Sequence, residues 1–423
     1  MRSWGNLPCE PPSRQRRLFD RAAPLPASEV PQLAWGNGRS YGDVCINSGG
    51  ELLETRGLDR YLAFDAATGV LRAEAGVLLD DILRTFLPRG WFLPVTPGTR
   101  FVTLGGALAN DVHGKNHHVA GTFGRHVTCF ELLRSDGARL ECSPTRNPEL
   151  YAATIGGLGL TGLVSWIELQ LRRVAGTAIA VDNHRFRGLD EFFALNAAAE
   201  KSHEHVVAWI DCLAATPRGI LMAGDHVDTA VPPARTFSPA VPLTPPFSLI
   251  NRASLAAFNT AYFHRPLPER LTVHCQPFFY PLDNIRQWNR IYGRRGFYQY
   301  QCAVSKGVER EATAALLDAI RKSGQGSFLA VLKTFGAVTS PGLLSYPLAG
   351  ANLALDFPNG GAATLALFER LDVIVREAGG RLYPAKDARM SGALFRQGYP
   401  RWQEFSQYVD PKFSSNFWRR VME

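Results

Sequence analysis

Four stretches of this chain carry residue types whose spacing could do chemistry. Three are rich in glycine: Gly36-Asn37-Gly38-Arg39-Ser40-Tyr41-Gly42-Asp43, Pro97-Gly98-Thr99-Arg100-Phe101-Val102-Thr103-Leu104-Gly105-Gly106, and Gly156-Gly157-Leu158-Gly159-Leu160-Thr161-Gly162. Glycine lets the backbone approach a ligand closely. Successive amide N–H groups in such turns form anion nests suited to a pyrophosphate. Gly157, Gly159 and Gly162 have the spacing of a G-x-G-x-x-G fingerprint, but a Rossmann domain needs that motif after a strand and at the start of a helix. Here a short helical pattern precedes it and a strand pattern follows. The three loops together point to a dinucleotide held without a Rossmann fold.

The fourth stretch is Asp111-Val112-His113-Gly114-Lys115-Asn116-His117-His118, with three histidines in six residues. His113 and His117 have i, i+4 spacing, which invites a metal reading. Gly114 and the polar sequence favour a loop, however, and neither an H-E-x-x-H motif nor paired carboxylates accompany them. The expectation is no metal, and a polar wall beside a cofactor and substrate.

Elements must hold these loops in place. Before Arg172 the chain reads as short apolar runs broken by glycines: a hairpin over Tyr61–Gly76, a helix over Leu78–Phe86, a hairpin joining Phe130–Arg134 to Arg139–Cys142, a helix over Pro148–Thr154 and a strand over Leu163–Leu171. Beyond it, helical periodicity marks Leu189–Ser202, Glu309–Ser323 and Thr364–Ala378. Strand patterns mark Val206–Cys212, Leu271–Phe279, Tyr298–Val304, Phe328–Thr334 and Ala351–Phe357. Strands with helices on one layer predict an α+β fold. Residues 1–30 read as a loosely docked lead-in. Pro217–Pro246 holds seven prolines and reads as disordered or as a mobile functional loop.

With 423 residues, 46% hydrophobic and 20% charged, the composition is globular and excludes disordered, collagen-like and coiled-coil chains. The seven cysteines are scattered without a C-x-x-C pair, which excludes a zinc ribbon and points to free thiols in a reducing compartment. Nothing resembles a secretory signal or an uncharged apolar run of membrane-spanning length. The net charge of +8 suits anionic lipid or phosphorylated small molecules. The basic runs, Arg14-Arg16-Arg17 and Arg294-Arg295, are too short to argue for nucleic acid.

Taken together, GNGRSYGD, PGTRFVTLGGALANDVHGKNHH and ATIGGLGLTG resemble the FAD-dependent oxidoreductases of the vanillyl-alcohol oxidase / p-cresol methylhydroxylase (PCMH) type. Within that family, HGKNHH with LYPAKD is similar to the decaprenylphosphoryl-β-D-ribose 2′-oxidase branch. The resemblance continues through VVAWIDC, RRGFYQYQ, VLKTFG and ALDFP, and so covers nearly the whole chain from Trp35 on. It implies a two-lobed α+β fold. An FAD-binding PCMH-type domain would span residues 1–176, with 381–423 returning to it. A substrate domain, built on an antiparallel sheet flanked by helices, would span 177–380, with a mobile loop at about 217–250.

Carried over position by position, the resemblance implies that Gly36, Asn37, Gly38, Arg39, Ser40 and Tyr41 hold the pyrophosphate. Pro97, Gly98, Thr99, Thr103, Gly105 and Gly106 would form a second FAD loop. His113, Gly114 and Lys115 would lie beside the flavin ring, Ile155, Gly157 and Gly162 in a third loop, and Lys386 near the pyrimidine end. Lys115, Gln299, Gln301, Lys333, Phe335, Asn352 and Asp356 would line the substrate pocket. Many relatives bind FAD covalently through a histidine where this chain has Arg39, so non-covalent FAD is expected. The decaprenyl branch also carries a tyrosine near Phe279, a cysteine at Ala354 and a serine at Val207, which leaves the exact sugar and lipid open.

Oxidising a secondary alcohol needs a hydride acceptor, which no side chain supplies, and a group that takes the hydroxyl proton. Lys386 is the first choice for a cation at the flavin edge. Lys386, His113 and Tyr280 are candidate bases, with Lys115 also placed in the catalytic set. The expected reaction is oxidation of the 2′-hydroxyl of a polyprenyl-phosphoryl pentose, with a short-chain reductase acting on the keto product. The alternatives are oxidation of a free sugar, alditol or aldonolactone, and a flavin-binding scaffold without catalysis. The enzyme is expected in the cytoplasm, either free or peripheral at the inner membrane face, with Arg2, Arg14, Arg16 and Arg17 and the loop residues Phe237, Phe247, Leu249 and Ile250 as its contacts.

Overall fold

Strands whose side chains alternate between two faces build two antiparallel sheets, and the larger one is buried on both. The computed structural model describes residues 2–232 and 239–423. The smaller sheet has five strands, in the order Tyr61–Phe64, Val70–Glu74, Leu163–Gln170, Val127–Leu133, Arg139–Cys142. Leu71, Phe130, Ile167 and Leu169 pack its inner face on the helices Leu79–Phe86 and Leu104–Ala109.

The larger sheet has eight strands, in the order Arg270–His274, Ala178–Arg187, Arg218–Val227, His205–Asp211, Ala330–Phe335, Gly350–Pro358, Phe297–Ser305, Arg381–Leu382. Tyr300, Cys302, Val304, Leu332, Leu353, Leu355 and Phe357 turn one face into a core shared with the helices Leu189–Ser202, Glu309–Ser323 and Ala362–Glu377. Because strand side chains alternate with a period of two, the intervening residues Gln299, Gln301, Lys333, Phe335, Asn352 and Asp356 all take the opposite face. The register pairs Gln299 with Asp356 and Lys333 with Asn352.

The chain end ties the lobes together. After the strand Arg381–Leu382, the Ala385 carbonyl accepts the Tyr41 N–H at 2.9 Å and the Asp387 carbonyl accepts that of Asp43 at 3.3 Å. Arg420 donates to Asp43 and to Asp387, and the Lys412 carbonyl accepts the Gln32 N–H.

Three expectations are corrected. Residues 218–227 are not a structureless loop but the strand Arg218–Val227, paired on both edges; the seven prolines all lie outside its ladder, beginning with Pro217 just before it. The strand expected through Phe279 stops at His274. Pro277 cannot donate to a ladder, His274 caps the next turn by accepting the Gln276 N–H, and Cys275–Phe279 is a helix. The lead-in is docked rather than loose: Arg14–Arg17 pairs in parallel with Glu51–Glu54, and the Trp4 and Gly5 N–H groups donate to the Ser40 and Tyr41 carbonyls. Phe237 lies outside the described residues.

Candidate active site

The glycine loops meet because their glycines leave room for one another. A Cβ at Gly36 would lie 2.3 Å from Thr103 Oγ1, and one at Gly42 would lie 1.5 Å from the Asp387 carbonyl oxygen. Thr103 caps the helix Leu104–Ala109 by accepting the Gly106 N–H. Asn37 Nδ2 donates to the Phe101 carbonyl at 2.7 Å. The third loop packs behind these, with the Gly156 and Leu158 N–H groups donating to the Leu108 and Ala109 carbonyls. Gly157 and Gly162 face protein backbone, at Ala153 and Leu133, and the Ile155 side chain is buried. Thus the contacts of the third loop are with the fold, whereas Gly98 has open space where a Cβ would be.

Arg39 stacks on Trp4, with its guanidinium carbon 4.2 Å from the ring, and faces Phe101 from 5.6 Å. Burial lowers its pKa, and its Nε is buried without a partner. Thr99 donates to Asp283 at 2.7 Å and the Arg100 N–H donates to the same carboxylate at 2.9 Å. Neither Trp4 nor Asp283 carried a motif that marked it in the sequence.

On the sheet face, Lys333 Nζ donates to the Gly114 carbonyl at 2.7 Å and lies 2.8 Å from His113 Nδ1. The amide of Gln301 meets His113 Nε2 at 3.1 Å and Asn352 Oδ1 at 3.0 Å. The His113 ring is caged by Phe335, Tyr346 and Tyr383, with centroids 4.9, 5.6 and 5.5 Å away. Both ring nitrogens are therefore engaged by protein groups. Desolvation, then the charge of Lys333, pushes the His113 pKa far down, so the ring is neutral.

One step along the sheet, Gln299 donates to Asp356 at 2.6 Å. Asp356 is fully buried and its second oxygen has no partner. Lys386 Nζ lies 3.7 Å from the Tyr41 ring centroid. Burial lowers the Lys386 pKa and raises that of Asp356, while their mutual attraction opposes both shifts. Lys115 Nζ donates to the Phe278 carbonyl and sits 4.1 Å over the Phe278 ring. Burial alone pulls Lys115 down to about 7. Lys333 is also pulled to about 7, by burial and then by the charge of Lys115.

Tyr280 stands apart. Its hydroxyl is fully buried, 2.6 Å from Thr96 Oγ1, and burial raises its pKa. The substrate-face residues and His113 are thus brought together, Lys386 and Tyr41 adjoin them, and Tyr280 is set back.

Glycine loops with bare backbone, an unpartnered Arg39 Nε and desolvated lysines fit an anionic dinucleotide lying beside the lysine-lined sheet face. Residues 23–143 match the FAD binding domain family. The chain is 35% identical over 410 residues to the decaprenylphosphoryl-beta-D-ribose oxidase of Mycolicibacterium smegmatis, covering 92% of this chain and 88% of that protein. It is 34% identical over 370 residues to an uncharacterized Streptomyces coelicolor protein, covering 82% of this chain and all of that one. It is 28% identical over 137 residues to mouse L-gulonolactone oxidase, covering 32% and 30%. The chain belongs to the family of the decaprenylphosphoryl-ribose oxidase, and it is an FAD-dependent oxidoreductase.

Proposed function

We propose that this enzyme oxidises the 2′-hydroxyl of a polyprenyl-phosphoryl pentose to a ketone, as the first half of an epimerisation completed by a separate short-chain reductase. The observation that carries the reading is the pair Lys115 and Lys333. Both are desolvated, and neither forms an ion pair with a carboxylate among the described residues. Charging a buried lysine without a counter-charge is costly, and a phosphorylated substrate supplies one. The name of the Mycolicibacterium relative agrees with a lipid-linked sugar.

The loops at 36–41 and 97–106 would hold FAD, which supplies the hydride acceptor. Lys386 takes the hydroxyl proton. Its lowered pKa makes the free amine accessible near neutral pH, while His113 has both nitrogens engaged and Tyr280 is held by Thr96. Taking that proton leaves Lys386 a cation, the charge that would offset the electrons FAD would accept.

The apolar tail stays in a bilayer that the enzyme meets peripherally. No helix among the described residues is long and apolar enough to cross a membrane. Arg16 and Arg17 already pair with Glu51 and Glu54. The better contact face is therefore Leu243, Phe247, Leu249 and Ile285, which are 78%, 69%, 50% and 44% exposed, beside the exposed Arg286, Arg294 and Arg295.

Anaerobic flavin bleaching tests the substrate. Polyprenyl-phosphoryl ribose should bleach the flavin, while free pentoses, alditols and aldonolactones should not. Bleaching by aldonolactones alone would make the free-sugar reading correct.

A further inference from the structure

Five side chains form one continuous line across the substrate face: Lys333, His113, Gln301, Asn352 and Tyr346. The line ends at the Tyr346 hydroxyl, which donates to Asn352 Oδ1 at 2.7 Å. Asn352 is the near partner of that hydroxyl, and the Gln301 side chain also reaches it. Tyr346 is 1% exposed and stacks on Tyr383 with centroids 4.4 Å apart. Its ring is therefore fixed and only the hydroxyl proton can turn.

Donors and acceptors allow two self-consistent arrangements. In the first, Tyr346 and Gln301 both donate to Asn352 Oδ1, and Gln301 also donates to His113 Nε2. The imidazole proton must then sit on Nδ1, facing Lys333, which has to be a neutral amine accepting it while still donating to Gly114. In the second, Lys333 is charged and donates to Nδ1, so His113 carries its proton on Nε2 and donates to Gln301. Both amides then turn by half a rotation, since oxygen and nitrogen exchange places, and Asn352 donates to the Tyr346 oxygen. That leaves the Tyr346 O–H without its Asn352 acceptor, and the Gln301 oxygen, the other acceptor within reach, is already taken by the His113 and Asn352 protons. A buried unsatisfied donor is costly, so the hydroxyl favours the first arrangement.

We propose that Tyr346 is a positioning residue that sets the tautomer of His113, and with it the charge on Lys333, through the side-chain amides of Asn352 and Gln301. The anion-holding charge of Lys333 is thereby withheld in the resting site and drawn out by a ligand anion strong enough to reverse the chain. The other titratable groups that face this line are Lys115 towards Lys333, His117 and Lys386 towards His113, and Cys302, Tyr383 and Tyr399 towards Tyr346. They remain in place when the hydroxyl is removed, so its effect can be isolated.

The test is nitrogen NMR of the FAD-loaded enzyme with 15N-labelled histidine, His113 being assigned by comparison with His113→Gln. The two ring nitrogens report directly which one carries the proton. At pH 8 the parent should show the Nδ1–H form. Tyr346→Phe should shift His113 towards Nε2–H and move the midpoint of its pH-dependent change up by about half to one pH unit, the worth of one buried hydrogen bond. Asn352→Leu cuts the line, so adding Tyr346→Phe to it should produce no further shift. A Tyr346→Phe enzyme with normal flavin absorbance and an unchanged His113 spectrum would overturn the proposal, as would a shift that persists in the Asn352→Leu background. Should Tyr346→Phe not fold, Gln301→Met cuts the same line from the other end, and an unaltered His113 tautomer there would also overturn it. The readout is His113 itself, so the result does not depend on which sugar is oxidised.

Discussion

The Nζ of Lys386 rests 3.7 Å from the centre of the Tyr41 ring, and the backbone N–H of Tyr41 donates to the Ala385 carbonyl next to that lysine. The first glycine loop and the proposed catalytic lysine are therefore held as one unit. Lys386→Ala should retain FAD, because the loop contacts are backbone to backbone. It should slow substrate-driven flavin reduction by roughly 10²–10⁴, the contribution of a positioned general base. Rapid mixing under anaerobic conditions measures this, and reduction at the parental rate would remove Lys386 from the mechanism.

Arg39 stands where covalently linked relatives carry histidine, and its guanidinium is packed on Trp4. It offers no nucleophile to the cofactor. Acid precipitation should leave the yellow flavin in the supernatant, whereas colour retained in the pellet would contradict non-covalent attachment.

Burial, then the charge of Lys115, lowers Lys333 from the ordinary lysine value of 10.5 to about 7. Between those values the unfolded chain binds a proton at this lysine that the folded chain does not, so this lysine makes stability rise with pH. The gain is at most about 1.4 kcal/mol per pH unit. Relative to Lys333→Met, the parent should become more stable between pH 7 and 8.5 in denaturant titrations. A difference that stays flat with pH would show that Lys333 keeps its ordinary pKa when folded.

The exposed Leu243, Phe247, Leu249 and Ile285 with their neighbouring arginines should bind anionic vesicles reversibly, each arginine contributing about 1 kcal/mol at low salt. Phe247→Ser with Arg294→Glu should reduce co-sedimentation with vesicles rich in anionic lipid, while Arg16→Glu should not. Equal pelleting with neutral vesicles would rule out the charge contribution.

Much of this fold is legible where one period dominates. The helices Leu189–Ser202 and Glu309–Ser323 follow a single apolar stripe with polar outer faces, and the strands Phe297–Ser305 and Gly350–Pro358 alternate cleanly, which also aligns Gln299, Gln301, Asn352 and Asp356. The segment Arg270–Phe279 is misread because its β-branched and aromatic residues favour a strand, while one proline and one capping histidine decide otherwise. The strand Arg218–Val227 is hidden by prolines that cluster around it. Trp4, Asp283 and Tyr346 leave no local signal, since each acts through a partner brought near only by folding: Arg39, Thr99 and His113. A resemblance in motifs identifies the cofactor, but the pairing of amides that governs His113 depends on which side chains meet across three strands.

The closure of the first glycine loop by residues 385–387 has a consequence for how the enzyme is made. Ribosomal synthesis releases the glycine loops well before the carbonyls that fasten Tyr41 and Asp43. The first loop lacks these fastenings until residues 385–387 have been made, so flavin loading should follow their synthesis. A chain stopped before Lys386 by a premature stop codon would lose the proposed catalytic lysine and the fastening of the first glycine loop together.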